Sequence, residues 1–436
     1  MNNKYEYIGA SMPRYDGEGR ISGKTIYAGD VYLPGMCYVK AFRSPVHKGI
    51  IKNLDLSEVM SVPGVVGTLT KDDVPGLNCG WFGDAPVFAE GEVRFMGQVI
   101  CAVVGETEEA AWEGVQKIKC EIEEQEAVFD MEEAMKPDAP KVYAGADDNF
   151  FHGYGAGETF LMNIGDIEEG FKQADFIVEG EYYEGGQDSA PIEPHVSVAH
   201  YDEAGRLCIH TTSQCLYYQL GPLCAILNLP MSKIRYIGGN VGGGFGGKNE
   251  IHADHVAGVA AIKFKRPMRY EWTRQEHMRY ATKRGSWKFH YKDGVTKDGR
   301  IVARQVEHWH DAGAFTTFSP YAIEKCSCFL SGPYNIPNID IKGHCIYTNK
   351  PTSSSLRGFT IMNGQYCADV QMQKIAEKLN MDPWEIRMLN AYRDGDMGAS
   401  RYIVEGAGAI EAMKGLAELM GKELPENLMN MSSRGR

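Results

Sequence analysis

Apolar residues recur at helical spacing in TEEAAWEGVQKI, from Thr107 to about Ile118, where an N-cap threonine and first-turn acids complete the signals of a helix. Ahead of it, ISGKTIYAGDVYLPGMCYVKAF reads as two strands separated by a Pro-Gly turn, and SVPGVVGTL supplies a third. Further on, IEEGFKQA predicts a short helix, while FIVEGEYYE, RLCIHTTS and KIRYIGG predict strands. WKFHYKDG and RIVARQVEHWH form a hairpin-like pair joined by the turn Val295 to Gly299. MDPWEIRMLNAY offers Asp382 as N-cap and Pro383 as first helical residue, and GAIEAMKGLAELMGK is a second amphipathic helix. The pattern predicts an α+β (mixed α/β) chain.

Between these elements, AMKPDAPKVYAGADDNFFHGYGAGE is rich in Pro, Gly and Asp and keeps no periodicity. The expected organisation is a domain over 1–140, a linker over 141–160, a second domain over 161–425, and a polar tail over 426–436 with no fold of its own.

The most informative stretch is IRYIGGNVGGGFGGKNEIHADHVAGVAAIKF, a strand that enters a glycine cluster and leaves into a segment of helical length. Glycines let backbone approach a ligand closely, and a helix start presents N–H groups to an anion. Gly242, Gly244 and Gly247 satisfy GxGxxG, yet the acid required about 20 residues later is replaced by the basic run FKRP. Gly242 to Lys248 fits GxxxxGK, but Asn249 stands where a P-loop needs a hydroxyl for magnesium. A dinucleotide fold, a P-loop and a glycine turn that only packs strand on helix all remain open at this point.

Composition narrows the classes. With 58 acidic against 45 basic residues, the formal charge of −13 disfavours nonspecific nucleic-acid binding and favours a small-molecule partner. No apolar run is long enough to span a bilayer and no secretory h-region opens the chain, so a cytoplasmic setting without membrane association is expected. The eleven cysteines lack the spacing of a zinc ribbon or an iron–sulfur loop. Cys326 and Cys328 form a CxC pair that alternation on a strand explains as well as a metal does, and His290, His308 and His310 read as exposed or packed strand histidines.

GGGFGGK, the later LRGFT and the preceding TTSQ segment, in that order, resemble the molybdenum hydroxylase family of xanthine dehydrogenases and aldehyde oxidases. GRISGKTIYAGDVYLPGMCYVKAFRSP and FMGQVICAVVGETEEAAWEG are similar to that family's α/β hammerhead domain, and PYNIPNIDIKGHCIYTNKPTSSSLRGF extends the likeness. The resemblance implies a hammerhead domain followed by the first molybdopterin-binding domain. It implies that Gln214 hydrogen-bonds an oxygen ligand of the molybdenum as the catalytic amide. Gly244, Phe245, Gly246 and Gly247 would line the metal centre, and the backbone around Arg357 would contact the pterin. Phe359 would stack on a planar substrate. The metal would be held by pterin dithiolene sulfurs, with no direct side-chain ligand, which accords with the lack of a convincing ligand set in the sequence.

Two positions depart from xanthine-oxidising relatives, where a glutamate and an arginine hold the purine; here they are Asn249 and Lys325. An amide and an ammonium keep polar recognition with altered geometry, which points to a polar N-heterocycle, including an anionic one such as nicotinate, with an aldehyde-oxidising member or a non-catalytic assembly subunit as alternatives. The resemblance also implies missing parts. A second molybdopterin-binding chain would carry the catalytic base, as in the split nicotinate dehydrogenase arrangement. Iron–sulfur ([2Fe-2S]) and FAD subunits would carry electrons away, and the pterin would be in its cytosine dinucleotide form.

Overall fold

The computed structural model describes residues 6–79, 84–152 and 159–434. Residues 153–158 of the expected linker and the end of the expected tail, 435–436, lie outside the described residues.

The largest sheet has seven strands in the order β11 (Ile234–Gly238), β10 (Leu207–Thr211), β9 (Val196–Tyr201), β12 (Met268–Glu271), β1 (Cys37–Arg43), β5 (Val99–Gly105) and β3 (Val65–Leu69). Strands from both sides of the expected linker share it, because β1 pairs in parallel with β12, Cys37 opposite Met268. One core fills its faces, with Val39, Leu69 and Val104 from the first segment packed among Ile209, Ile226, Val256 and Tyr270 from the second. The glycine loop and the hammerhead strands therefore belong to one packed body.

A second sheet runs β7 (Thr159–Ile164), β15 (Ile339–Tyr347), β14 (Ile301–Gly313), β13 (Trp287–Val295) and β8 (Phe176–Glu184). β13 and β14 are the expected hairpin, and Gly299 takes φ +87 in its turn. A three-stranded sheet, β4 (Glu92–Val93), β2 (Gly49–Asp55) and β6 (Lys119–Glu124), completes the hammerhead region.

The helices are α1 (Gly17–Ile21), α2 (Glu108–Gln116), α3 (Met131–Ala134), α4 (Ile167–Lys172), α5 (Leu216–Leu227), α6 (Asp254–Phe264), α7 (Arg274–Tyr280), α8 (Ser319–Ser327), α9 (Ile361–Leu379), α10 (Pro383–Asn390), α11 (Ala409–Met420) and α12 (Glu426–Met429). Thr107 caps α2 through the Ala110 N–H, and Asp382 caps α10 through the Trp384 N–H, as their sequences predict. No helix among the described residues is long and apolar enough to cross a membrane.

Three expectations need correction. Only the second of the two strands predicted in ISGKTIYAGDVYLPGMCYVKAF forms. Its first half becomes a turn in which the Asp30 carboxylate accepts the Tyr27 N–H at 2.9 Å, a side-chain bond that competes with strand pairing. The C-terminal stretch is not a free tail: α12 buries Leu428 against Met388 and Ile410, and the Ser433 hydroxyl accepts the Ile410 N–H at 3.1 Å. Cys326 and Cys328 lie at the end of helix α8 instead of alternating on a strand.

Candidate functional site

β11 delivers the chain into the glycine loop, and the loop's hydrogen-bonding groups are met by side chains distant in sequence. Gln214, just after β10, accepts the N–H groups of Gly246 (3.0 Å) and Lys248 (3.2 Å) through Oε1, while its own N–H donates to the Lys248 carbonyl at 3.0 Å. From the first turn of α5, Gln219 Nε2 donates to the carbonyls of Lys248, Asn249 and Glu250. Glu193 accepts the Gly242 N–H at 2.7 Å and the Lys248 ammonium at 2.8 Å. The loop is thus clamped from three directions and its shape is fixed in advance.

The glycines are required by close approach. A Cβ on Gly246, at φ +98, would sit 2.6 Å from the Ser355 carbonyl oxygen, and one on Gly247 would sit 2.2 Å from Ser189 Oγ. Gly244 faces Gln214 with the same lack of room, at 2.3 Å. Between them Phe245 adopts φ +54 with its ring half exposed, a strained backbone held in place by the clamps.

The loop meets the second expected segment directly: the Arg357 N–H donates to the Phe245 carbonyl at 2.8 Å. Arg284 Nη2 in turn donates to the Arg357 carbonyl at 2.6 Å. Its Nε and Nη1 find no hydrogen-bond partner among the described residues, although the side chain is only 6% exposed. Buried cationic donors left without an acceptor beside two converging backbone segments fit an anionic organic group better than a bare metal ion. Among the described residues no group of three or more His, Cys, Asp or Glu could hold a metal.

Lys325, on α8, and Phe359 come together, with the ammonium 5.6 Å from the ring centroid. They line a recess of about 560 Å³ with Tyr218, Phe318, Tyr321 and Ser400. Asn249 does not share it. It lines a separate inner cavity of about 130 Å³ with Arg43, Glu250, His252, Trp272 and Tyr280, and its side-chain oxygen accepts the Cys215 thiol at 3.1 Å. Thr317 lines the inner cavity and the adjacent Phe318 lines the outer recess, so these two residues form part of the wall between them.

Lys248, whose position suggested a P-loop lysine, is 1% exposed and paired with Glu193, so it cannot reach a nucleotide phosphate. The dinucleotide reading fails on topology as well, because β11 is an edge strand separated from β12, the strand that follows the loop and helix, by β10 and β9. His308 and His310 are packed, each bonding through Nε2 to a buried serine hydroxyl, Ser327 and Ser319. Burial pushes the Glu250 carboxyl up to about 7, against the pull of hydrogen bonds from Ser354 and Thr317. Glu193, Gln219 and Arg284 were not distinguishable in sequence, since isolated polar residues outside a motif carry no spacing signal, and Glu250, though it follows the glycine cluster, matched no element of either nucleotide motif.

Known proteins resemble this chain in sequence and fold. The family model for the molybdopterin cofactor-binding domain matches residues 151–391, and that for the aldehyde oxidase and xanthine dehydrogenase a/b hammerhead domain matches residues 22–126. The nicotinate dehydrogenase large molybdopterin subunit of Eubacterium barkeri is 33% identical over 97% of this chain and 99% of its own length. The xanthine dehydrogenase/oxidase of Mus musculus is 31% identical over 92% of this chain, which spans only 29% of that relative. The solved aldehyde oxidoreductase from Desulfovibrio gigas superposes with a TM-score of 0.89 at 27% identity, covering 94% of this chain and 46% of that one. A hammerhead region packed on a molybdopterin-binding region, with the glycine loop between sheet and helix, places the chain in the aldehyde oxidase and xanthine dehydrogenase family of molybdopterin-binding oxidoreductases, and it belongs to that family.

Proposed function

We propose that this chain is the molybdopterin-binding subunit of a multi-chain hydroxylase that oxidises an electron-poor carbon of an N-heterocycle, with water as the oxygen source. The observation that carries the reading is the junction of Phe245 with Arg357, flanked by the unpartnered donors of Arg284. Backbone of Gly244–Gly247 and of Arg357, with the Arg284 guanidinium, would hold the pterin and its negative charge. When bound, that cofactor, proposed in its cytosine dinucleotide form, supplies a Lewis-acidic metal and accepts two electrons.

The chain's own residues supply orientation. Gln214 spends its amide oxygen on the glycine loop, which leaves Nε2 to donate toward an oxygen of the cofactor and stabilise charge developing there. The Phe359 ring and the Lys325 ammonium present an aromatic face and a cation in one recess, suited to a planar ring that carries a carboxylate or carbonyl. A nicotinate-like substrate fits this pairing better than a simple aldehyde, which carries no anionic group to set against the ammonium.

A second molybdopterin-binding chain would bring the general base, and iron–sulfur and FAD chains would remove electrons. Support comes from coverage: the chain matches nearly all of a relative named as one large molybdopterin subunit and about half of the aldehyde oxidoreductase. Metal and pterin analysis of the purified native assembly tests the reading. Molybdenum near one per copy supports it, and an active, intact assembly without molybdenum overturns it.

A further inference from the structure

One buried acid stands between the glycine loop and the segment that leads to Arg357. Glu250 ends the clamped stretch of the glycine loop, is 8% exposed, and has its backbone carbonyl held by Gln219 at 2.8 Å. Its carboxyl accepts the Ser354 hydroxyl at 2.7 Å, from the segment that leads to Arg357 and Phe359. Thr317, in the turn that opens α8 and so sets the position of Lys325, lines the same cavity as Glu250. We infer that Glu250 is the positioning residue of this site, its carboxyl tying the glycine loop to the 353–359 segment, which holds the 316–319 turn in the same geometry through Ser353.

The tie depends on where a proton sits. The Thr317 hydroxyl donates to the Ser353 carbonyl at 2.9 Å, and it has a single hydrogen to give. An ionised Glu250 can only accept, as it does from Ser354; a protonated Glu250 can also donate into the cavity wall it shares with Thr317. Thr317 holds φ +38, a strained conformation that persists only while its neighbours over-determine it. Burial, with a smaller push from nearby Asp84, brings this change near neutrality, at about 7. The other groups facing Glu250 are Cys215 and, around the inner cavity, Arg43, His252 and His255.

This inference rests on the proposed function for its catalytic consequence but not for its structural one. The test compares wild type, Glu250→Gln and Glu250→Ala in the purified native assembly, by hydrogen-exchange mass spectrometry and by KM and kcat against pH. Loss of a buried acceptor should speed exchange roughly tenfold or more in Glu250→Ala. The acceleration should fall on 245–250, 316–319 and 353–359 together and leave the β13–β14 hairpin unchanged, while KM rises more than kcat falls. Glu250→Gln should keep wild-type exchange and lose the inflection of KM near pH 7. Acceleration in only one of the three segments, or throughout the chain, would overturn the inference, as would a wild-type inflection in Glu250→Gln. If Glu250→Ala fails to fold, Ser354→Ala should speed exchange in 245–250 and 353–359, and wild-type exchange in both overturns the tie. Absence of molybdenum from the wild-type assembly would sink the proposed function alone, since the exchange measurements still decide the role of Glu250.

Discussion

Gln214 is asked to do two things with one amide: its oxygen holds the Gly246 and Lys248 N–H groups, and its nitrogen is left for the cofactor. Gln214→Glu separates them, because a carboxylate accepts both backbone N–H groups but has no N–H to donate. Turnover should fall by roughly 100-fold while molybdenum per chain stays at the wild-type level; equal loss of both would assign Gln214 to loop structure alone. Lys325→Met should raise KM for a carboxylate-bearing heterocycle by about tenfold or more, the worth of one charged hydrogen bond, and leave a neutral aldehyde unaffected. Equal effects on the two substrates would remove Lys325 from recognition. At this scale the sequence is informative where residues sit inside a motif. Phe245 and Arg357 are brought together as their motifs imply, and Lys325 meets Phe359. Asn249 instead faces the inner cavity, because Gln219 fixes the loop's exit by its carbonyls and turns that side chain away from the recess. Arg284 stood unmarked, since guanidinium N–H groups left without a partner among the described residues are a property of packing and not of spacing.

Among the elements, the glycine loop is the most constrained. Gly246→Ala adds a Cβ 2.6 Å from the Ser355 oxygen at φ +98 and should cost about 1–3 kcal/mol, read as a lower denaturation midpoint together with reduced cofactor content. Gly221→Ala, in α5, meets nothing within 4 Å and takes no positive φ, and a helical alanine should be neutral or stabilising by up to about 1 kcal/mol. Similar losses at both positions would show that loop geometry is not special. Helices announced by caps and periodicity, such as α2 and α10, could be read from sequence to within a residue or two. The stretch before β1 could not, because Asp30 supplies a local hydrogen bond that outweighs strand propensity. α12 was missed for the opposite reason: its single buried leucine gains its place only from helices α10 and α11.

Over the whole molecule, buried histidines set the response to acid. His255, His277 and His310 are pushed down to about 4 and His308 to about 3, mainly by burial, and His195 and His252 lie well below their ordinary value. The unfolded chain takes up these protons near pH 6.5 and the folded one does not, so their stability is complete above pH 6.5 and is lost as the pH falls toward 4. Glu250 and Asp254, raised to about 7 and about 6, act in the opposite sense and gain stability as they protonate in the folded state. With His210 also lowered and Asp84 also raised by burial, seven imidazoles outweigh three carboxyls, and each net proton is worth about 1.4 kcal/mol per pH unit. The thermal midpoint should therefore drop steeply between pH 6.5 and 4.5, and a flat profile there would mean that the buried imidazoles are hydrated.

The same whole-molecule view explains why domain organisation is hard to read from composition. The Pro- and Gly-rich crossing lies between sequence segments whose strands β1 and β12 pair in one sheet, so a break in periodicity is not a break in packing. The glycine loop sits at one end of that shared sheet, and the Arg357 segment comes from the neighbouring one. A structure of the native assembly, determined with molybdenum content verified, tests this convergence most directly. It should show the pterin against the backbone of Gly244–Gly247 and Arg357 with the Arg284 guanidinium in contact; a pterin seated elsewhere, with those segments packed only against protein, would contradict it.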